Sequence, residues 1–157
     1  MSNSTTAREA ARQHDGKFGA QHRDAVDVPL DDQPTMTVFS NGSRVWCLND
    51  VRHRLDGPAV EYADGGRVWL VGGNLHRLDG PAVEYADGTR EFWVEDKLHR
   101  LDGPAIEWAD GSREFWMNGD LHRLDGPAVE KTDGTQGFWL NGKRYDTEDD
   151  WRQAVEA

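Results

Sequence analysis

A 23-residue repeat is the feature that most restricts how this sequence can fold. Its most regular part is the heptapeptide His-Arg-Leu-Asp-Gly-Pro-Ala, which begins without insertions at His53, His76, His99 and His122. Residues 76–98 and 99–121 are identical at 16 of 23 positions. With a partial copy before the first heptapeptide, the array spans about residues 36–145. A unit this short buries its apolar face only by stacking on its neighbours, so the sequence predicts a repeat architecture.

Each unit predicts two antiparallel strands and two turns. In the unit from Leu98, Ile106 to Trp108 belongs to one strand and Arg113 to Met117 forms the next. Asp110-Gly111 and Asn118-Gly119 follow these strands, and such dipeptides indicate hairpin turns because they tolerate positive φ. A helix is excluded because Gly or Pro interrupts every stretch of about ten residues. The predicted fold class is mostly β: an elongated single-layer antiparallel sheet of stacked β-hairpin repeats.

The segments on either side of the array predict different structures. Residues 1–35 are polar and lack alternation, which favours a flexible arm with one short helix candidate from Thr6 to Gln13. Residues 146–157 predict a short C-terminal capping helix, because Thr147-Glu-Asp-Asp150 is similar to a capping box. Trp151 and Val155 lie one helical turn apart, so this helix is expected to cover the last hairpin and its open edge.

Alternation along the aromatic strand of each unit separates two apolar columns. The first column predicts a continuous core and contains Trp46, Trp69, Phe92, Phe115 and Phe138. The opposite column holds a tryptophan in each of the last three units, namely Trp93, Trp116 and Trp139. A sheet that is apolar on both faces covers both or exposes one. The tryptophan column is therefore either packed, within the chain or against a second copy, or a partner-binding surface.

Composition excludes several classes of function. The chain has 157 residues, one cysteine and a formal net charge of −11, which leaves no disulfide framework and no cysteine-based zinc site. The acidic balance argues against nucleic-acid binding through phosphate contacts. No apolar run approaches the roughly 20 residues that span a bilayer, and the first residues contain no apolar leader. We therefore expect a cytoplasmic protein without a membrane span.

The repeated histidines and aspartates do not predict a metal site. These residues are His53, His76, His99, His122, Asp56, Asp79, Asp102 and Asp125. Two strands per unit place equivalent residues about 10 Å apart, which is too far for them to share one zinc ion. We expect structural roles instead: each His hydrogen-bonds a neighbouring turn, and each Asp closes an Asx-type turn.

The sequence also predicts no catalytic residue and no cofactor. Acid–base catalysis needs two carboxyl groups in different environments, whereas one glutamate recurs in similar environments at Glu61, Glu84, Glu107 and Glu130. Cys47 occupies a column otherwise filled by Leu and Trp, which favours a packed side chain over a nucleophile. We therefore expect a protein that is not an enzyme.

A second motif of the array is the segment Trp116-Met-Asn-Gly119-Asp-Leu-His122, which has the spacing Trp-x-x-Gly-x-x-His, and Trp139-x-x-Gly142 repeats its first part. Through this motif the array resembles the MORN repeat, whose unit contains the same spacing. Arg-Leu-Asp-Gly follows each His where the family has Gly-x-Gly, so the array is similar to a divergent class over about 70% of the chain. The resemblance implies an elongated sheet of stacked hairpins and a scaffolding role with protein or lipid contacts.

The favoured hypothesis is a non-enzymatic scaffold that binds a protein partner through its sheet face or edge. Its predicted partner-binding residues are Trp93, Trp116, Trp139, Arg90 and Arg113. An alternative is an acidic mimic that inhibits a nucleic-acid-binding protein, and the leader from Ala10 to Ala20 is similar to N-terminal stretches of small actinobacterial and phage-borne proteins. A further alternative is glycan binding on the aromatic column. The open sheet edges also predict self-association into a homo-oligomer.

Overall fold

A computed structural model describes residues 33–157 of the protein. The first strands are β1 (Thr35–Val38), β2 (Arg44–Leu48), β3 (Val51–Arg52), β4 (Val60–Glu61), β5 (Arg67–Val68), β6 (Leu70–Val71), β7 (Asn74–Leu75), β8 (Val83–Glu84) and β9 (Arg90–Glu91). They are followed by β10 (Trp93–Val94), β11 (Lys97–Leu98), β12 (Ile106–Glu107), β13 (Arg113–Glu114), β14 (Trp116–Met117), β15 (Asp120–Leu121), β16 (Val129–Glu130), β17 (Gln136–Leu140), β18 (Lys143–Tyr145) and the helix α1 (Glu148–Glu156). The predicted arm 1–35, with its helix candidate, lies outside the described residues except for its last three positions.

Twelve of these strands form one antiparallel sheet, which confirms the predicted fold class. Their order is β1-β2-β4-β5-β8-β9-β12-β13-β16-β17-β18, with β3 paired to β2. Each strand pairs with strands that are close to it in the chain, as expected for stacked hairpins. Strand β1 lies at one end of this order and is exposed along its whole length. At the other end, β18 is followed directly by the helix.

Each of the three central units contributes an additional two-stranded hairpin that was not predicted. These hairpins are β6-β7, β10-β11 and β14-β15. They form because the strand expected from Arg113 to Met117 is interrupted at Phe115. The Phe115 amide donates to the carbonyl of Ala128 at 2.7 Å, and its carbonyl accepts from the His122 amide at 3.0 Å. The two halves of the predicted strand therefore pair with different partners.

Two kinds of turn connect these strands. In the first, an aspartate carboxylate accepts a hydrogen bond from the backbone amide two residues later, as Asp87 does from Thr89 at 2.8 Å. The second is a two-residue hairpin turn in which both residues have positive φ, such as Asn118 at 54° and Gly119 at 91°. Such φ values match the turn type that suits the right-handed twist of a hairpin.

Arginine and glutamate alternate across one face of the main sheet. The register pairs them in the order Arg44, Glu61, Arg67, Glu84, Arg90, Glu107, Arg113 and Glu130. Ion pairs join Arg44 to Glu61 at 3.2 Å and Arg90 to Glu107 at 3.8 Å. Opposite charges directly across a strand pair stabilise the sheet. This row of Arg and Glu therefore favours one register between the units and keeps this face of the sheet towards solvent.

The opposite face carries a thin apolar core. Its buried residues include Val60, Val83 and Ile106, which occupy equivalent positions in successive units. Buried hydroxyls reinforce the stacking: Oγ1 of Thr89 accepts from the Ala109 amide, and Oγ of Ser112 accepts from the Thr132 amide. Gly66 occupies the equivalent position in the first complete unit and has no hydroxyl to offer. Unit-to-unit stacking therefore combines a narrow apolar strip with specific hydrogen bonds.

The helix α1 covers the last hairpin, as predicted. Thr147 is its N-cap, and its Oγ1 accepts from the Asp150 amide at 3.1 Å. Trp151 is 5% exposed and packs on Phe138 with ring centroids 5.4 Å apart. The helix has nine residues, and residues 33–157 contain no helix that is long and apolar enough to cross a membrane.

Candidate functional site

Each repeated loop is organised around its arginine. The guanidinium of Arg100 lies over the Phe92 ring at 4.0 Å, and its Nε donates to Asp102 at 2.9 Å. Its Nη1 donates to the Pro104 carbonyl at 3.2 Å and to Glu107 at 2.8 Å. The stacking on an aromatic ring recurs at Arg54, Arg77 and Arg123. One side chain thus ties the loop to the sheet and to the aromatic column that was predicted to form the core.

The other loop residues fit tightly around this arginine. A Cβ atom at Gly103 would lie 3.1 Å from Cζ of Arg100, and one at Gly80 would lie 2.9 Å from Cζ of Arg77. Ala105, which follows the proline, has no exposed surface. Larger side chains at these glycine and alanine positions would displace the guanidinium or the neighbouring strand. The small residues of the heptapeptide are therefore explained by packing.

The loop aspartates bind arginine side chains, so the expected Asx-type turn at these positions is wrong. Oδ1 of Asp56, Asp79 and Asp125 accepts from the Nε of the arginine two residues earlier, as Asp102 does. These hydrogen bonds hold the pKa of all four carboxyls below the ordinary value of 3.8. The Asx-type turns occur instead at the Asp-Gly turns of the main sheet.

Three of the four repeated histidines accept a hydrogen bond from the hairpin turn 19 residues later. Nδ1 of His53 accepts from the Gly72 amide at 2.9 Å, Nδ1 of His99 from the Asn118 amide, and Nδ1 of His122 from the Asn141 amide. A nitrogen that accepts an amide hydrogen bond cannot also coordinate a metal. In the part of the chain that the structure describes, no three His, Cys, Asp or Glu side chains are grouped to hold an ion.

The repeated leucine is the one large apolar side chain of the heptapeptide that is exposed to solvent. Its four copies are 79%, 81%, 77% and 58% exposed at Leu55, Leu78, Leu101 and Leu124, respectively. We call this row of four residues the leucine ridge. A large apolar side chain repeated at an exposed position has no packing role that would account for it, and such surfaces are typical of binding sites.

Consecutive loops border three open grooves along this ridge. The groove between the loops of Arg77 and Arg100 is lined by Leu78, Leu101 and Phe92 and encloses about 460 Å³. The equivalent grooves on either side enclose about 760 and 430 Å³. Each groove therefore combines exposed leucines with an aromatic ring and with the ion-paired Arg and Asp of the loops.

The helix α1 occupies the fourth, equivalent position at the end of the array. Phe138 corresponds to Phe92 and Phe115 in earlier units, but the next loop and its arginine are absent, since Asp146 stands at that position. Trp151 stacks on Phe138 instead, and its indole N–H donates to the Arg123 carbonyl at 3.3 Å. Trp151 therefore takes the place of the arginine that covers the aromatic ring in the earlier units.

Two members of the predicted tryptophan column make internal contacts. Trp93 and Trp116 are half-buried and pack against the cluster of Leu98, Ala105 and Ile106. Their indole N–H groups donate to the carboxylates two residues earlier, Trp93 to Glu91 at 2.8 Å and Trp116 to Glu114 at 3.0 Å. Trp139 is also half-buried, but Gly137 replaces the carboxylate there.

The remaining predicted site residues are separated from one another. Arg90 and Arg113 lie on the charged face of the main sheet, away from the tryptophan column. Glu84 and Glu107 each form ion pairs with one loop arginine and one sheet arginine. The loop arginine is 3.6 Å from Glu84 and 2.8 Å from Glu107, and the sheet arginine is 3.7 and 3.8 Å away, respectively. The thiol of Cys47 is free and half-buried. The five predicted partner-binding residues therefore do not form one surface.

The sequence analysis did not identify the leucines, because they lie outside the alternating strand segments from which the apolar columns were defined. The available signal was a large apolar residue between two charged ones, next to Gly-Pro and outside any alternating segment. Neither a protein-family model nor a curated protein matches the sequence of this chain. The resemblance to the MORN repeat stays a prediction.

Proposed function

We propose that this protein is a non-enzymatic repeat scaffold that binds a protein partner along the leucine ridge. The observation that carries the proposal is the exposure of Leu55, Leu78, Leu101 and Leu124 in loops whose other side chains pack, form ion pairs or donate and accept hydrogen bonds. The binding surface is therefore the loop edge of the array and not the tryptophan column. A scaffolding role is also what the resemblance to the MORN repeat implies.

Divergence between units supports the assignment to the ridge. One exposed position of the unit differs in size and charge from copy to copy, namely Asn74, Lys97, Asp120 and Lys143. The leucine is the same in all four loops, although its exposure leaves apolar surface in contact with water. A row of identical apolar side chains beside open grooves is suited to an extended partner surface, since apolar anchors seated in pockets supply much of the binding energy at interfaces.

The proposal is tested with the double variant Leu78→Ser/Leu101→Ser, which changes two exposed side chains. We expect its stability to stay within about 0.5 kcal/mol of the unchanged protein. Tagged protein is used for affinity capture from its native cell, with mass-spectrometric identification of bound proteins. The double variant should lose the partner that the unchanged protein captures.

A matched control carries Tyr62→Ser and Val51→Ser, two exposed apolar residues outside the ridge. This control should retain the partner. Equal capture by both double variants would contradict a role for the ridge, and loss of capture by both would indicate a general apolar effect instead of a specific site.

A further inference from the structure

Three large aromatic side chains form an exposed row next to the Asp-Gly turns of the main sheet. Tyr62, Tyr85 and Trp108 occupy equivalent positions in successive units and are 48%, 48% and 42% exposed. Each stands two residues after a buried Val or Ile of the apolar core, so the row lies along the core face of the sheet. Among residues 33–157, no cation and no second ring lies over any of the three, unlike the rings beside the repeated loops. The row is therefore accessible to a ligand.

In each of the two central units, a glutamate lies beside the exposed ring. Glu91 accepts from the Tyr85 hydroxyl at 3.2 Å and from the Trp93 indole N–H at 2.8 Å. Glu114 accepts from the indole N–H of Trp108 at 3.2 Å in the same arrangement. These donors are neutral, so they orient each carboxylate but leave its negative charge in place.

The charge of these two carboxylates is not balanced by a cation of residues 33–157. Neither Glu91 nor Glu114 forms an ion pair there, whereas the repeated glutamates of the charged face, such as Glu107, all pair with arginine. Burial and the nearby carboxylates of Glu91 and Asp87 raise the pKa of the Tyr85 hydroxyl above its ordinary value of 10.0. An exposed ring beside an unbalanced carboxylate suits a cationic ligand.

The repeated loops show which cation combines with a ring and carboxylates in this protein. The guanidinium of Arg100 lies 4.0 Å above the Phe92 ring and forms ion pairs with Asp102 and Glu107. Arginine suits this combination because its planar group stacks on a ring while its N–H groups reach a carboxylate. Beside Glu91 and Glu114, the ring and the carboxylate come from the chain but the arginine does not, so a partner has to supply it.

The repeat sets the distance between the two sites. Equivalent residues of successive units are two strands apart in the main sheet, which is about 10 Å. A polyproline-type helix returns a side chain to the same face every three residues, with a rise of about 9 Å. Closely spaced arginines repel one another, which favours such an extended segment over an α-helix.

We propose that the Tyr85/Glu91 and Trp108/Glu114 sites bind an extended, proline-rich segment of a protein partner that has arginine at every third position. Each arginine stacks on one ring and pairs with the glutamate beside it. This surface uses none of the residues of the leucine ridge, so the inference goes beyond the proposed function.

Three labelled peptides of about 18 residues test this inference with the full-length protein. The first repeats Arg-Pro-Pro, so neighbouring arginines stand about 9 Å apart on one face. The second has the same composition with its arginines in adjacent pairs, as Arg-Arg-Pro-Pro-Pro-Pro, which removes every spacing of three. The third is an alanine-rich α-helix of the same net charge with three arginines seven residues apart, a rise of about 10.5 Å. Binding is measured by fluorescence anisotropy of the label.

We expect the first peptide to bind at least about five-fold more tightly than the second, because only its arginines reach both sites at once. The double variant Glu91→Gln/Glu114→Gln removes both charges but keeps oxygen acceptors for the aromatic donors, and it should lose most of this preference. The matched control Glu95→Gln/Asp120→Asn changes the net charge equally at exposed positions of the two-stranded hairpins, and it should keep the preference.

A second variant tests the ring while both carboxylates stay in place. Trp108→Leu should weaken binding of the first peptide by a similar factor. Equal binding of the two proline-rich peptides, a preference that survives Glu91→Gln/Glu114→Gln, or an equal loss in the matched control would overturn the inference. Tighter binding of the helical peptide would overturn it as well, because the partner segment would then not be extended.

The outcomes separate this inference from the proposed function. Leu78→Ser/Leu101→Ser leaves the aromatic row unchanged, so it should bind the first peptide as the unchanged protein does. If no peptide binds, the inference is wrong, whereas the scaffold proposal still stands provided that capture of the native partner depends on Leu78 and Leu101.

Discussion

Every complete unit contains both a long loop and a tight hairpin turn, and the two have diverged very differently. The heptapeptide of the loop is identical in all four units. The two residues of the hairpin turn change along the chain, from Gly72-Gly73 to Glu95-Asp96, then to Asn118-Gly119 and Asn141-Gly142. Both connections keep the same backbone path in each unit, so the difference lies in how that path is stabilised.

The loop depends on side chains, whereas the turn depends on backbone conformation. In the loop, the arginine needs its aspartate, its aromatic ring and the space above a glycine, so replacement of one residue affects several contacts. The turn needs only two residues that tolerate positive φ. Glu95 at 51° and Asp96 at 59° meet this need at some cost, since residues with a β-carbon other than Asn and Asp rarely adopt this conformation.

The largest expected effect is loss of the loop arginine. Arg100→Ala leaves Asp102, the Pro104 carbonyl and Glu107 without their donor and removes the stack on Phe92. We expect the free energy of unfolding to fall by about 2 kcal/mol, measured from the urea midpoint at constant m.

Arg100→Lys is the matched control because it keeps the charge but not the planar fork of donors. It should recover less than half of the lost stability. Full recovery of the stability by Arg100→Lys would mean that the positive charge alone stabilises the loop. The loop would then not depend on specific side-chain contacts, as the contrast with the turn requires.

A smaller effect is expected at the hairpin turn. Asn118→Glu introduces the residue that the preceding unit has at this position, and it should cost about 1 kcal/mol because Asn tolerates a φ of 54° better than Glu. Glu95→Asn should give a gain of similar size. Both changes are measured by chemical denaturation. An unchanged stability in both variants would show that the turn residues do not contribute through φ.

The smallest effect per residue is expected from titration of the loop aspartates. The hydrogen bond from arginine lowers the pKa of Asp56, Asp79, Asp102 and Asp125 below 3.8. A lowered carboxyl pKa stabilises the fold above the unfolded value, and this contribution is lost as the pH falls through the folded value. Stability should therefore decrease below about pH 4, and the effect of each exposed carboxylate should be small.

Replacement of all four loop aspartates by asparagine tests the origin of this pH dependence. Urea midpoints between about pH 6 and pH 3 should then decrease less steeply than in the unchanged protein. The pKa of Asp133 is lowered by its hydrogen bonds with Thr135, so part of the slope should remain. An identical slope in the variant would assign acid sensitivity to other groups.

Much of the fold can be predicted from the sequence because the repeat fixes both spacing and alternation. The hairpins and the capping helix with Thr147 at its N-cap follow from local pattern. The break at Phe115 does not, because its residue type continues the alternation. Only the pairing with both Ala128 and His122 shows that the strand divides there.

The candidate site is harder to predict for a related reason. Whether Trp116 is packed depends on the bend that brings it against Leu98 and Ile106, and this bend has no sequence marker of its own. The exposure of Leu101 likewise depends on the direction in which the loop turns. Residue type indicates which side chains are apolar, but three-dimensional contacts between units decide which of them face solvent.

The contacts between units have a consequence for the length of the molecule. The Thr89 hydroxyl accepts from the amide of Ala109, and the Ser112 hydroxyl accepts from the amide of Thr132, so each unit contacts its immediate successor through equivalent residues 20 positions apart. A variant in which Leu98 is joined directly to His122 lacks one whole unit, and each remaining unit would contact a neighbour that carries equivalent residues. Insertion or deletion of whole units should therefore change the length of the sheet by about 10 Å per unit, and α1 would cover the last hairpin whatever the number of units.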